Sequence, residues 1–124
     1  MIQLLTIAGG GAVGATLRFL VSSQIYRVLG RDFPYGTFTV NVLGSFLMGT
    51  IFILVIERGL LSMEWRNAVM IGFLGAFTTF STFSIETLNL LEAGEVTRAI
   101  MNIALSVSVC LMATWMGMIL ARQV

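Results

Sequence analysis

Residues 72–84 read GFLGAFTTFSTFS: four phenylalanines, five hydroxyl side chains, two glycines and no charge. Phe77, Phe80 and Phe83 recur every three residues, with Ser81 and Thr82 among them. A phenyl ring is weakly positive at its edge and negative on its face. Ring edges can therefore stabilise an anion without a fixed charge. Ser81, Thr82 and the amide N–H₂ of Asn41 can donate hydrogen bonds to the same ion. A small, hard, strongly hydrated anion needs such donors to replace the water it gives up. The same phenylalanines equally suit packing or a lipid-facing surface, and their spacing alone does not choose.

The stretch also predicts a break in its own helix. Gly72 and Gly75 each weaken a helix by ~1 kcal/mol relative to Ala. Thr78 and Thr79 are β-branched and can bond backbone carbonyls instead of supporting the helix. The segment is centred near residue 78, so the break falls at the bilayer midplane. Broken helices survive in lipid only where the freed backbone groups find partners. Freed carbonyls attract a cation. In an antiparallel dimer two such breaks meet on the axis, which suggests a bound Na⁺.

The elements that must hold these residues are membrane helices. Of 124 residues, 57% are hydrophobic and only 10% charged, too little polar surface to cover a water-facing exterior. Most charges cluster near 27–32, 57–66 and 92–98, with Arg122 at the end. Between them lie four apolar stretches, roughly 3–26, 35–56, 67–91 and 99–121. Each meets the ~20 residues needed to cross ~30 Å of hydrocarbon as helix. The expectation is an all-α membrane protein, with residues 1–124 forming a single domain of four transmembrane helices. The N-terminal stretch lacks a basic first region and its apolar run continues to Tyr26, so it reads as the first span and not as a signal peptide. Cys110 is the one cysteine and there is no histidine. No nucleophile–base pair or metal cluster is visible, and no enzyme is expected.

Orientation is undetermined by charge. With four spans, one side carries Arg58, Arg66 and Arg122 and the other Arg27, Arg31 and Arg98. The positive-inside rule counts these residues, and they tie. Either the tie is chance, or chains insert both ways and pair as an antiparallel dual-topology homodimer with a two-fold axis in the membrane plane, the symmetry of inverted-repeat transporters.

Small and polar residues form stripes. Gly9, Gly11 and Gly14 match G-x-G-x-x-G, but no βαβ unit can be built around them. Gly10 and Gly14 suit close helix packing instead. Arg18 lies within the first apolar stretch, where an ionised group costs ~2.5–3.5 kcal/mol on insertion scales. It either snorkels towards the surface or stands at the mouth of an anion pathway as a vestibule or structural charge. Pro34 suits a first helical turn. Asn41, Ser45 and Gly49 share one face of the second span, and Asn102, Ser106, Cys110 and Thr114 one face of the fourth. Such stripes serve interhelical hydrogen bonds or line a pathway. Glu86 is the one acid inside an apolar stretch.

Together, GGGAVGATLRF, TFTVNVLGSFLMG and GFLGAFTTFSTFSIE resemble the Fluc (CrcB-like) family of fluoride channels, over nearly the whole chain. The resemblance implies an antiparallel dual-topology dimer in the bacterial inner membrane, with two pores that export fluoride passively. It implies that Phe80 and Phe83 are the pore phenylalanines and Asn41 a pore-lining donor, with Ser81, Thr82, Ser106 and Asn102 among the pore residues. It implies a structural Na⁺ held on the dimer axis by backbone carbonyls of Gly75 and Thr78. Arg18 matches the family's arginine in the first helix. Asn102 departs from the pattern: the polar track of the fourth helix often begins with a tyrosine there. The alternative is a small four-helix proton-coupled multidrug exporter. That chemistry needs a carboxylate in the first span, where this chain has Arg18.

Overall fold

The computed structural model describes all residues 1–124. Helix α1 (Ile2–Leu29) is followed by α2 (Tyr35–Phe52), which winds on as a π-helical turn over Ile53–Glu57. Next come α3 (Met63–Arg66), a π-helical stretch Asn67–Leu74, α4 (Gly75–Phe77), α5 (Phe80–Glu92) and α6 (Val96–Gln123). Four continuous runs are long and apolar enough to cross a membrane: Ile2–Leu29, Tyr35–Glu57, Met63–Glu92 and Val96–Gln123. They match the four expected stretches and extend them by several residues, because the charged residues at the ends remain helical.

The turns follow from local chemistry. α1 stops at Gly30, whose φ of 83° suits glycine, and the Gly30 N–H bonds back to the Tyr26 carbonyl. Pro34 precedes α2 as its N-cap, one residue ahead of the first turn expected for it. α5 closes with the Gly94 N–H on the Leu91 carbonyl and the Glu95 N–H on the Leu90 carbonyl, the paired bonds of a Schellman end with Gly94 left-handed.

Two crossings organise the bundle. α1 packs against the π-helical stretch 67–74, and α2 packs against α6. Glycine makes both possible. A Cβ on Gly10 or Gly14 would run into the carbonyl of Ala68 or Phe73, and one on Gly49 or Gly117 into that of Thr114 or Phe46. Backbones therefore touch directly, the close approach that Gly10 and Gly14 suggested. α5 is the exception. It lies on α6 and only thinly on α2.

The outside is apolar and the inside partly polar, as lipid requires. Leu4, Leu5, Leu20, Leu111 and Trp115 are exposed, whereas Thr37, Thr79, Thr87, Asn102 and Ser106 are buried. At one end Arg122 pairs with Glu57 at 2.9 Å, and Arg58 donates to the Arg122 carbonyl at 3.0 Å. Both side chains of the pair are exposed, so the pair adds little stability.

The glycine crossings give a direct contrast. A Cβ on Gly9 meets nothing within 4 Å, so Gly9→Ala should leave the melting temperature in detergent unchanged or raise it. Gly14→Ala forces a methyl against the Phe73 backbone and should destabilise by about 1–3 kcal/mol, seen as a lower melting temperature and poorer monodispersity.

Candidate functional site

The site begins where the third span interrupts. Helical backbone ends at Phe77 and resumes at Phe80; between them Thr78 (φ −85°, ψ 159°) and Thr79 (φ −152°, ψ 120°) are extended. Asn41 on α2 takes up the freed groups. Its Nδ2 donates to the Thr79 carbonyl at 2.9 Å, and the Thr79 N–H donates to its Oδ1 at 2.8 Å. One amide thus satisfies both backbone groups of one residue. Gly44, one turn further along α2, makes room for this: a Cβ there would run into the Thr78 methyl.

Several carbonyls lose their helical donors in the process, those of Gly75 and Thr78 among them. In an unbroken helix the Thr79 N–H would reach the Gly75 carbonyl, and the Thr82 N–H the Thr78 carbonyl. Here the first goes to Asn41 and the second to Thr79 Oγ1 at 3.2 Å. Thr79 is the N-cap of α5 in the usual sense of a hydroxyl accepting from the third residue on. Its own hydroxyl donates to Thr82 Oγ1 at 3.0 Å and lies 3.3 Å from Ser81 Oγ.

Beside the interruption α2, α5 and α6 form a groove of about 400 Å³. Asn41, Ser45, Met48, Phe80, Phe83, Ser106, Cys110 and Thr114 are on its walls, and no charged residue is. The Phe80 and Phe83 rings lie 5.4 Å apart, tilted by 43°. Phe80 is 77% exposed, so one side of the groove is open in the single chain.

Of the expected residues, Asn41, Phe80, Phe83 and Ser106 come together here. Others do not. Ser81 and Thr82 are outside the groove; their hydroxyls sit with Thr79 Oγ1 at the start of α5. Asn102 is also outside it: the residue is 1% exposed and its amide faces α5, donating to Thr87 Oγ1 at 2.8 Å. The polar track of α6 therefore reaches the groove at Ser106, one turn later. Phe77 breaks from the three-residue rhythm, since the extended Thr78 and Thr79 intervene; it is buried and stacks on Phe73 at 5.9 Å. Arg18 is half-buried, makes no ion pair or hydrogen bond within the chain, and does not border the groove.

Sequence reasoning also missed contributors. Thr79 is the residue that Asn41 holds, and nothing in the pattern separates it from Thr78. Ser45 shares the Asn41 stripe. It is a groove hydroxyl with no hydrogen bond in the chain, whereas Thr114 is tied to the Cys110 carbonyl and Ser106 to Asn102. Glu86, the one acid within the apolar stretch 67–91, is knotted to two other helices: Tyr26 and Thr37 each donate to its Oε1 at 2.9 Å. Arg31 covers the Tyr26 ring at 4.9 Å. Only the spacing of hydroxyls 11 residues apart across the first loop hints at that knot.

Comparison with known proteins identifies the family. Residues 5–118 match the family model described as CrcB-like protein, Camphor Resistance (CrcB). A protein of Hydrogenovibrio crunogenus is 50% identical over 123 residues, 99% of this chain and 93% of its own length, and one of Geobacter sulfurreducens is 50% identical over 123 residues, 99% of both chains. A Methylococcus capsulatus protein is 55% identical over 122 residues, but this chain spans only 54% of its length. All three relatives carry the name fluoride-specific ion channel FluC. With most of its length matched by the family model and half its residues shared with full-length relatives, this chain belongs to the CrcB-like family.

Proposed function

We propose that the protein is a fluoride-selective channel that passes the ion passively, in the bacterial inner membrane, as an antiparallel homodimer with two pores. The observation that carries the reading is the groove. It brings two phenyl rings, the Asn41 amide and free or rotatable hydroxyls to one uncharged cleft. The names of the relatives point the same way.

The chemistry is dehydration with replacement. Ring edges of Phe80 and Phe83 face the anion with weak positive charge. Asn41 spends one amide hydrogen on Thr79 and keeps the other for the ion. Ser45 keeps its hydroxyl hydrogen. Such donors suit a small anion that accepts strong hydrogen bonds, and they offer chloride less because its larger size and lower charge density make it a weaker acceptor. Selectivity then comes from close contact with neutral donors and not from a ring of charges. A second chain across the open side, over Phe80, completes the pore and excludes lipid. The tied arginine count favours the antiparallel arrangement.

The Gly75 and Thr78 carbonyls fit a structural Na⁺, since both are oxygen donors released from helical bonding at the interruption. Two chains meeting there would offer the Gly75 and Thr78 carbonyls of both to the ion, whose positive charge would offset the negative ends of those dipoles. A proton-coupled exporter has no comparable support, because no carboxylate borders the groove and such transport needs a titratable relay.

Liposomes holding only the purified protein test the reading. With valinomycin carrying K⁺ and no pH gradient, fluoride should leave rapidly and chloride should stay; retention of fluoride by folded protein overturns it. Phe80→Ile or Phe83→Ile should slow efflux by about tenfold or more, a loss of at least ~1.4 kcal/mol, with assembly unchanged on size exclusion.

Asn41 separates two roles. Asn41→Leu leaves the Thr79 N–H unpaired, at ~1–3 kcal/mol, removes the second donor to its carbonyl, and should lower the melting temperature. Asn41→Asp keeps an acceptor for the Thr79 N–H but places negative charge on the groove; flux should fall far more than stability, as efflux and melting measured on one preparation will reveal. Long dialysis against a large organic cation should diminish efflux, and Na⁺ should restore it; full activity after verified Na⁺ removal would count against the ion site.

A further inference from the structure

α5 carries both groove rings yet packs only on α6 and thinly on α2. Apolar contacts alone leave the rotation of such a helix weakly determined. Asn41 holds its start and Tyr26 and Thr37 hold Glu86; on the α6 side a buried relay supplies the restraint. Ser106 Oγ donates to Asn102 Oδ1 at 3.3 Å, Asn102 Nδ2 to Thr87 Oγ1 at 2.8 Å, and Thr87 Oγ1 to the Phe83 carbonyl at 2.7 Å. The relay starts at a groove residue of α6 and ends on the backbone of a groove residue of α5. Its two middle members are buried and do not border the groove.

We infer that Asn102 and Thr87 are positioning residues for anion selection, locking the rotation of α5 against α6 so that the Phe83 ring keeps its place in the groove. This rests on the channel reading above. The geometry makes the lock sensitive. A ring ~6 Å from a helix axis moves ~1 Å for a 10° turn, enough to alter contact with a small ion. Hydrogen bonds between buried groups are directional and have no water to fall back on, so they resist such a turn better than sliding methyl contacts do. The same relay directs the Ser106 hydroxyl hydrogen towards Asn102, so this hydroxyl must rotate before it can donate to an ion.

The test compares Thr87→Val, which keeps shape and loses the hydroxyl, with Thr87→Ser, which keeps the hydroxyl, and adds Asn102→Leu and the Thr87→Val/Asn102→Leu pair. Each is reconstituted for fluoride and chloride efflux by ion-selective electrode. In parallel, 4-fluorophenylalanine at position 83 reports its surroundings by ¹⁹F NMR. Thr87→Val should shift or split the ¹⁹F resonance and lower the fluoride-to-chloride ratio by about tenfold. Thr87→Ser should recover both. The double variant should lose little more than the worse single, since both cut one relay. An unchanged resonance and ratio in folded Thr87→Val overturns the inference, as does a Thr87→Ser variant that behaves like Thr87→Val. If Asn102→Leu fails to fold, the Thr87 pair still decides. Failure of the unsubstituted protein to pass fluoride would instead remove the channel reading, and the ¹⁹F signal would still judge the positioning.

Discussion

A helix interrupted within hydrocarbon must have its loose backbone groups satisfied by the protein itself, because no water is there to do it. In this chain one side chain meets that demand. The Asn41 amide holds the N–H and the carbonyl of Thr79 together, and everything around the groove depends on that pair of bonds. They allow Thr78 and Thr79 to stay extended. They release the Gly75 and Thr78 carbonyls from their helical donors. They also leave the Thr79 hydroxyl free to cap α5, which fixes where the helix bearing Phe80 and Phe83 begins.

The rest of the bundle creates the space in which this can happen. Glycine crossings bring α1 onto residues 67–74 and α2 onto α6 with backbones in contact. These rigid pairs leave α5 as the lightly packed member. It is held from three directions by polar bonds: Asn41 at its start, Asn102 through Thr87, and the Tyr26–Thr37–Glu86 knot. Directional bonds thus do for α5 what interlocking apolar side chains do in a soluble core, since lipid offers no hydrophobic drive for helices to associate.

The groove that results is neutral. A ring of fixed charge would attract an anion strongly and release it slowly. Ring edges, one amide hydrogen and hydroxyls spread a weaker attraction over several contacts, suited to an ion that must enter dehydrated and leave again. The exposed Phe80 leaves that arrangement open on one side, which is where the proposed second chain would sit.

Much was legible in order along the chain. Apolar runs between charge clusters determined four spans, because helix length must match hydrocarbon thickness. Gly72, Gly75, Thr78 and Thr79 pointed to the interruption, since weak helix formers gathered at one place. Asn41 and Ser106 stood out as members of polar stripes by helical spacing, and Phe80 and Phe83 as part of an aromatic repeat; the resemblance to the fluoride-channel family is what singled them out together. What spacing could not reveal was rotation. Ser81 and Thr82 share the aromatic stretch but turn to Thr79; Asn102 shares the stripe of Ser106 but turns into α5; Phe77 has the three-residue spacing in sequence only, since the extended pair separates it from Phe80. A helix of given composition can present any of its faces to a neighbour, and which face wins depends on partners distant in sequence: Asn41 for Thr79, Thr87 for Asn102, Tyr26 and Thr37 for Glu86. Sequence alone therefore determined the spans and the chemistry available to them, whereas the packing of α5 against α2 and α6 decided which of those groups line the groove and which hold its wall in place.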